Sequence, residues 1–96
     1  MLINKQTKEN DVISFKISSG EEIIARYVRE DSDSFIITKP SVLMMNQQGM
    51  GMAPYMFTVN PDKEYTIYKS AVITSAPTDE EISKQYLAKT SGIALG

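Results

Sequence analysis

Of the side chains that most often do chemistry, histidine and cysteine are absent from the 96 residues. Without imidazole the commonest general base and the commonest zinc ligand are gone. Without a thiol there is neither a disulfide nor a thiolate metal site. No serine triad can be assembled from the remaining parts, so enzymatic activity is not expected. The carboxylates gather as Glu21/Glu22 and Glu30/Asp31/Asp33. Both groups fall at expected turns, where acidic side chains serve solubility and local hydrogen bonding. A divalent cation needs oxygens that converge in space, which this linear spacing does not guarantee. No metal and no cofactor is expected. The stretch Gly49 to Pro54 has the glycines of a phosphate-binding loop but lacks the Gly-Lys-Ser/Thr ending and a helix behind it. It reads as a hairpin tip. What remains is "IYKSAVITS", Ile67 to Ser75, which sets Lys69 among residues that favour a pleated, half-buried strand. Such a lysine points outward, ends a strand or meets an anion.

The bulk properties bound these options. A net charge of -2 and a pI near 5.0 argue against a domain that coats nucleic acid indiscriminately, since that binding draws on a cationic excess. A local basic site stays open, because a net sum conceals its distribution. The length fits one domain with a small core, here 1–96. No apolar run approaches the roughly 20 residues of a membrane span, and "MLINKQTKEN" lacks a signal-peptide core. The expected location is cytoplasmic, of a cell or, for a virus, of its host, with no membrane partner.

The elements that must position Lys69 are mostly strands. Residues 1–10 are polar and weakly patterned, an arm or a short helix. Ile13, Phe15 and Ile17 alternate with Ser14, Lys16 and Ser18, a period of two. Gly20 is the expected positive-φ residue of the turn that follows. "EIIARYV" places Ile23, Ala25 and Tyr27 on one side. Ile24, Arg26 and Val28 form an only partly polar other side that something must cover. "REDSDS" is an acidic turn and "SFIITK" a third strand, stopped or bulged at Pro40. "SVLMMNQ" leads into "QGMGMAP", and "YMFTVN" is expected to return as a strand with Tyr55, Phe57 and Val59 on one face. "NPDKE" turns again, and "YTIYK" and "AVITS" close the sheet across a corner near Ser70. Short strands at this spacing, over 11–75, indicate a small barrel or sandwich.

The tail changes period. In "TDEEISKQYLAK", Thr78 and Glu81 form a capping box, so a helix is expected within 78–90, with Ile82, Tyr86 and Leu87 inward and an end near Gly92. Met44, Met45, Met50, Met52 and Met56 cluster around the hairpin. Flexible thioethers suit either ordinary core packing or an adaptable contact with a neighbouring copy or another protein.

From Val12 to Thr74 the pattern resembles the Sm-like superfamily, and its Hfq branch in particular. The shared pieces are "ISFKISSG", Ala25 where the family usually has glycine, and "DSFII" at Asp33 to Ile37. To these is added Tyr68-Lys69-Ser70-Ala71-Val72-Ile73, similar to the family's Tyr-Lys-His-Ala-Ile-Ser. Small Sm-like proteins carried by phages, those of cyanophages among them, look closest in character. The resemblance implies a mainly β fold, a bent five-stranded open barrel of SH3 type, here with an inserted hairpin and a C-terminal helix. It also implies a homo-oligomeric ring of five to seven copies and binding of uridine- or adenine-rich single-stranded RNA, as RNA chaperones do. Carried over by position, the RNA contacts would be Lys69 and Phe35, supported by Tyr68, Ser70 and Ser34. Ser70 stands where the family has a histidine at the uridine site, and Ser34 where it has a glutamine. The turn before Asp33 is about two residues longer than in the family. The helix has no counterpart there.

The ring expectation also has a physical basis. An open barrel leaves edge strands with unpaired backbone groups, and pairing around a closed ring satisfies them. One Lys69 per subunit then becomes a local cationic circle on an acidic protein. The competing expectation is a structural or adaptor ring, in a phage particle for instance, that meets a protein partner through the methionine hairpin and binds no RNA.

Overall fold

The computed structural model describes residues 7–91. Alternation builds the first two strands as expected: β1, Val12–Ile17, and β2, Glu22–Glu30, joined by a turn in which Gly20 takes a φ of 104°. They pair antiparallel with Ile13 opposite Ala25 and Phe15 opposite Ile23. These residues, with Ile17, Tyr27 and Ile37, form the core, and Phe35, Tyr65, Ile67 and Val72 pack against it.

β3, Ser34–Asn46, is the longest strand, and Pro40 does not stop it. The other expectation, a bulge, is met: the register with β2 shifts by one residue between Thr38 and Ser41, at Lys39, whose φ is +52°. The kink is held from two sides. The Lys39 N–H donates to the Pro61 carbonyl, and the Tyr86 hydroxyl donates to the Lys39 carbonyl at 2.7 Å. Both backbone groups thus find partners outside the ladder, which lets a non-glycine residue hold this conformation. On either side of the bend β3 changes neighbour. Residues 41–46 pair with β4, Gly49–Pro54, and residues 34–37 pair with β5, Tyr65–Tyr68.

The returning strand of the hairpin is therefore the Gly/Met segment itself, not "YMFTVN". Gln47 and Gln48 make the turn, so Met45 already faces Met50 and the pairing is used up by Pro54. Residues 55–60 run without regular structure, and Tyr55, Phe57 and Val59 form no sheet face; Phe57 is 79% exposed.

A 3-10 turn, Lys69–Ala71, makes the corner expected near Ser70 and leads into β6, Val72–Pro77, which ends two residues later than the sequence indicates. β6 returns to pair with β1. The fold is mainly β: six antiparallel strands in an open sheet ordered β4-β3-β2-β1-β6, with β5 also on β3. The sheet does not close, so among the described residues β4, β5 and β6 each keep one side without a strand.

Helix α1, Glu80–Thr90, reaches the second side of β2 through Tyr86, which lies against Arg26. Its inward anchor is Tyr86, fully buried like Ile24, while Arg26 and Val28 are half-buried. The helix begins one residue later than the capping box implies. Asp79 is the N-cap and accepts from the Glu81 N–H, whereas Thr78 is held by β1, its hydroxyl 2.7 Å from that of Ser14. Of the N-terminal arm, residues 1–6 lie outside the described part, and 7–10 form a turn, not a helix. Gly92 also lies outside it. No helix among the described residues is long and apolar enough to cross a membrane.

Candidate functional site

Lys69 follows the last residue of β5 and opens the 3-10 turn, so it is a strand-end lysine by construction. Its backbone is fixed: the Lys69 N–H donates to the Asp33 carbonyl at 2.8 Å, and the Ala71 carbonyl accepts from Ser18 at 2.8 Å. The side chain crosses to β2 and β3. Its ammonium lies 5.1 Å from the centre of the Phe35 ring and donates to Glu30 Oε2 at 2.7 Å. Phe35 is in turn held by Phe15, edge to face at 5.0 Å between centroids. The aromatic is a half-buried wall of the barrel with its free side under the lysine.

Glu30 is the residue that reading the sequence missed. It sits at the end of β2, opposite Phe35 in the register, and binds two groups at once. One oxygen takes Lys69 and the other accepts from the Tyr27 hydroxyl at 3.0 Å. Burial, and then the Glu30 carboxylate, push the Tyr27 phenol above its ordinary value. The signal available was parity: Glu30 closes a strand whose partner begins at Ser34, so it must lie beside Phe35 once the turn is made.

The acidic turn is organised by Asp31. One of its oxygens accepts from the Asp33 N–H, the Ser34 N–H and the Ser34 hydroxyl. These bonds, the two backbone ones first, hold the Asp31 carboxyl below its usual range. Ser34 is consequently buried and its hydroxyl is engaged with Asp31, so it presents nothing to a ligand, unlike the role the resemblance gives it. Tyr68 and Ser70 are exposed, Tyr68 at 63%. The structure thus brings Lys69 and Phe35 together, places Tyr68 and Ser70 on the surface next to them in sequence, and turns Ser34 inward.

A cleft of 190 Å³ opens beside the group, lined by Ile13, Tyr27, Glu30 and Phe35 on one side and Ser75, Ala76 and Pro77 of β6 on the other. That is below the roughly 300–1,000 Å³ of a drug-sized pocket, so it suits one ring system and not a larger ligand. Among the described residues no three acidic side chains converge as a cation would need. Met44, Met45, Met50 and Met52 lie in the β3–β4 hairpin, on the other side of the Lys39 bend from Phe35. Met44, Met45, Met50 and Met56 are exposed and Met52 is half-buried, so they are surface and not core.

Neither the sequence model of any protein family nor any curated protein matches the chain.

Proposed function

We propose that the protein is a ring-forming binder of single-stranded RNA, of the Sm-like kind that its "YKSA" segment resembles. The observation that carries this reading is the ammonium of Lys69 placed over Phe35 at the end of an edge strand, with Tyr68 exposed beside it. A cation next to aromatic surface is what unspecific single-strand binders use, and one stacked base is worth about 1–3 kcal/mol. Exposure divides the work. Phe35 is half-buried and already carries the lysine, whereas Tyr68 is open to a base. Tyr68 is the stacking platform and Lys69 the phosphate contact. Ring formation joins the free side of β5 in one copy to that of β6 in the next and repeats the site around a common axis.

The test is an oligonucleotide shift assay at low and high salt with native protein, Lys69→Ala and Tyr68→Ala. Native protein retains a uridine- or adenine-rich strand at low salt and releases it at high salt. Each variant loses at least tenfold in affinity without a change in particle mass. Equal affinity in all three removes the reading.

A second reading, a structural or adaptor ring without RNA, is favoured by a separate observation. The hairpin exposes Met45 at 75% and Phe57 beyond it at 79%, a large apolar surface for a chain of net charge -2. It predicts negligible RNA affinity in every variant and loss of a protein partner when Gly49 to Pro54 is deleted.

A further inference from the structure

Nothing in the RNA site uses the long segment that separates the two halves of its scaffold. Between Lys39 and Asp62 there is no charged residue, although charged residues make up 23% of the chain. Among the described residues, all exposed large apolar side chains except Tyr68 and Ile73 lie in it. β3 has no β2 partner beyond Val42, so Leu43–Asn46 and β4 stand out from the sheet as a two-stranded arm. A lone ribbon of two strands is marginal in water. Leu43 faces Met52 and Met45 faces Met50, so these four side chains share one face of the arm. The outer side of β4 carries none of the devices that shield a free edge: no lysine, no bulge, and no proline before Pro54.

Gly51 adds an independent sign. Its φ lies outside the left-handed region, and a Cβ built on it would meet nothing within 4 Å. The single chain has no need of a glycine there, and glycine weakens a strand. A glycine inside a strand goes with a bulge, a tight bend or the close approach of another group, and the β3–β4 register runs without a bulge, so close approach is the reading we take.

We infer that β4 pairs antiparallel with β4 of a second copy about a two-fold axis at Gly51. The occupant follows from charge. Copies of an acidic chain repel wherever their charged surfaces meet, and this arm is the one long stretch of the sequence where they meet without charge. The register follows from the pleat. Opposed residues in an antiparallel pair share a face, so the axis must pass through a residue, not between two. At Gly51 that residue has no side chain to collide with its own copy. Met50 then lies opposite Met52 of the second copy, and the two methionine faces merge into one four-stranded apolar surface that thioethers can pack. This pairing uses an edge other than β5 and β6, and it holds whether or not Lys69 meets RNA.

Because the chain has no cysteine, the register can be read by cross-linking. Opposed Cα atoms in an antiparallel pair lie about 4.5–5.5 Å apart, inside the roughly 4.4–6.8 Å that a disulfide spans. Gly51→Cys, oxidised mildly at tens of micromolar, gives a reducible covalent dimer as the main product, while Lys84→Cys on the exposed side of α1 does not. By light scattering, Met50→Lys has half the native mass, with the native circular dichroism spectrum. The inference is overturned if Gly51→Cys cross-links no better than Lys84→Cys, or if Met50→Lys keeps the native mass. It is equally overturned if native protein is unpaired while the arm binds neutral phosphatidylcholine vesicles.

Discussion

Glu30 and Lys69 meet at 2.7 Å with side chains 37% and 33% exposed. A pair this open to water is worth about 0–1 kcal/mol. One stacked base contributes about 1–3 kcal/mol, so an incoming strand can take the ammonium from the carboxylate. In the proposed RNA site Glu30 would therefore tune affinity without closing the site. Glu30→Gln frees the lysine and removes a negative charge next to an incoming phosphate. It should raise affinity for a uridine-rich strand several-fold and steepen the salt dependence, as an oligonucleotide titration at two ionic strengths would show. Tyr86 is the other residue whose single atoms matter. Its hydroxyl caps the Lys39 carbonyl at the bend, and its ring is the one fully buried side chain of α1. Tyr86→Phe should cost about 1 kcal/mol in urea unfolding, the net worth of a hydrogen bond. Tyr86→Ala should cost about 3–5 kcal/mol, as large-to-small changes in cores do. Burial pushes this phenol well above its ordinary value, and that of Tyr27 upward too. Both are neutral in the folded state where the unfolded chain ionises above about pH 10. Their stabilisation is thus complete below that pH and is lost as pH climbs through the folded values. Alkaline unfolding should begin above pH 10, and its dependence on pH should be shallower in Tyr86→Phe, which is less stable throughout but has no phenol to ionise there.

Among the elements, the acidic turn has the opposite pH behaviour. Asp31 is held below its ordinary value by the bonds it accepts from Asp33 and Ser34. A depressed carboxyl stabilises the fold above its unfolded value, near 3.8, and the effect fades as pH falls through the lower folded value. Asp31→Asn keeps an oxygen that can accept the same bonds but does not titrate there. The variant should lower the urea midpoint at pH 7, where the charged carboxylate contributes, and flatten its decline between pH 5 and pH 3 so that the two proteins converge in acid. This turn also shows which elements could be read in advance. Strands with clean alternation, such as Val12–Ile17, announce themselves because one face is buried. The helix was legible from its acidic start, and the cap moved by one residue because Thr78 is recruited by Ser14 on β1, a partner 64 positions away. Local rules failed between Pro40 and Asn60 for a related reason. "YMFTVN" has the composition of a strand, but Gln47-Gln48 had already spent the available edge of β3 on the glycine-rich segment. Pro40 reads as a stop or a bulge, and it is the bulge that forms: β3 carries one extra residue between Thr38 and Ser41, and Lys39 is held there by Pro61 and Tyr86, neither of which is near it in sequence.

For the whole molecule the same asymmetry governs the site. Lys69, Phe35 and Tyr68 could be picked out by type and resemblance, but Glu30, which neutralises the lysine, became visible only when β2 and β3 were set in register. In a single copy Lys69 is a paired, strand-end cation on an acidic protein, and its electrostatic pull on a polyanion is small. Repetition around an axis is what would change this, because several lysines share one short-range field while the remaining charges spread outward, beyond the roughly 8 Å over which physiological salt leaves a charge felt. The affinity should therefore depend on assembly more than on any single contact. β6 allows this to be tested. Ile73 is 67% exposed on a strand whose outer side has no partner, and it lies outside the core cluster. Ile73→Lys adds positive charge to the chain, which on its own would favour RNA. If the ring forms across β5 and β6, the variant places a charge in each copy's junction and particle mass falls to that of a smaller unit with an unchanged circular dichroism spectrum. RNA affinity then drops at least tenfold although Lys69 and Tyr68 are untouched. A rise in affinity with the smaller mass would show instead that each subunit binds alone, and that the lysine needs no neighbours.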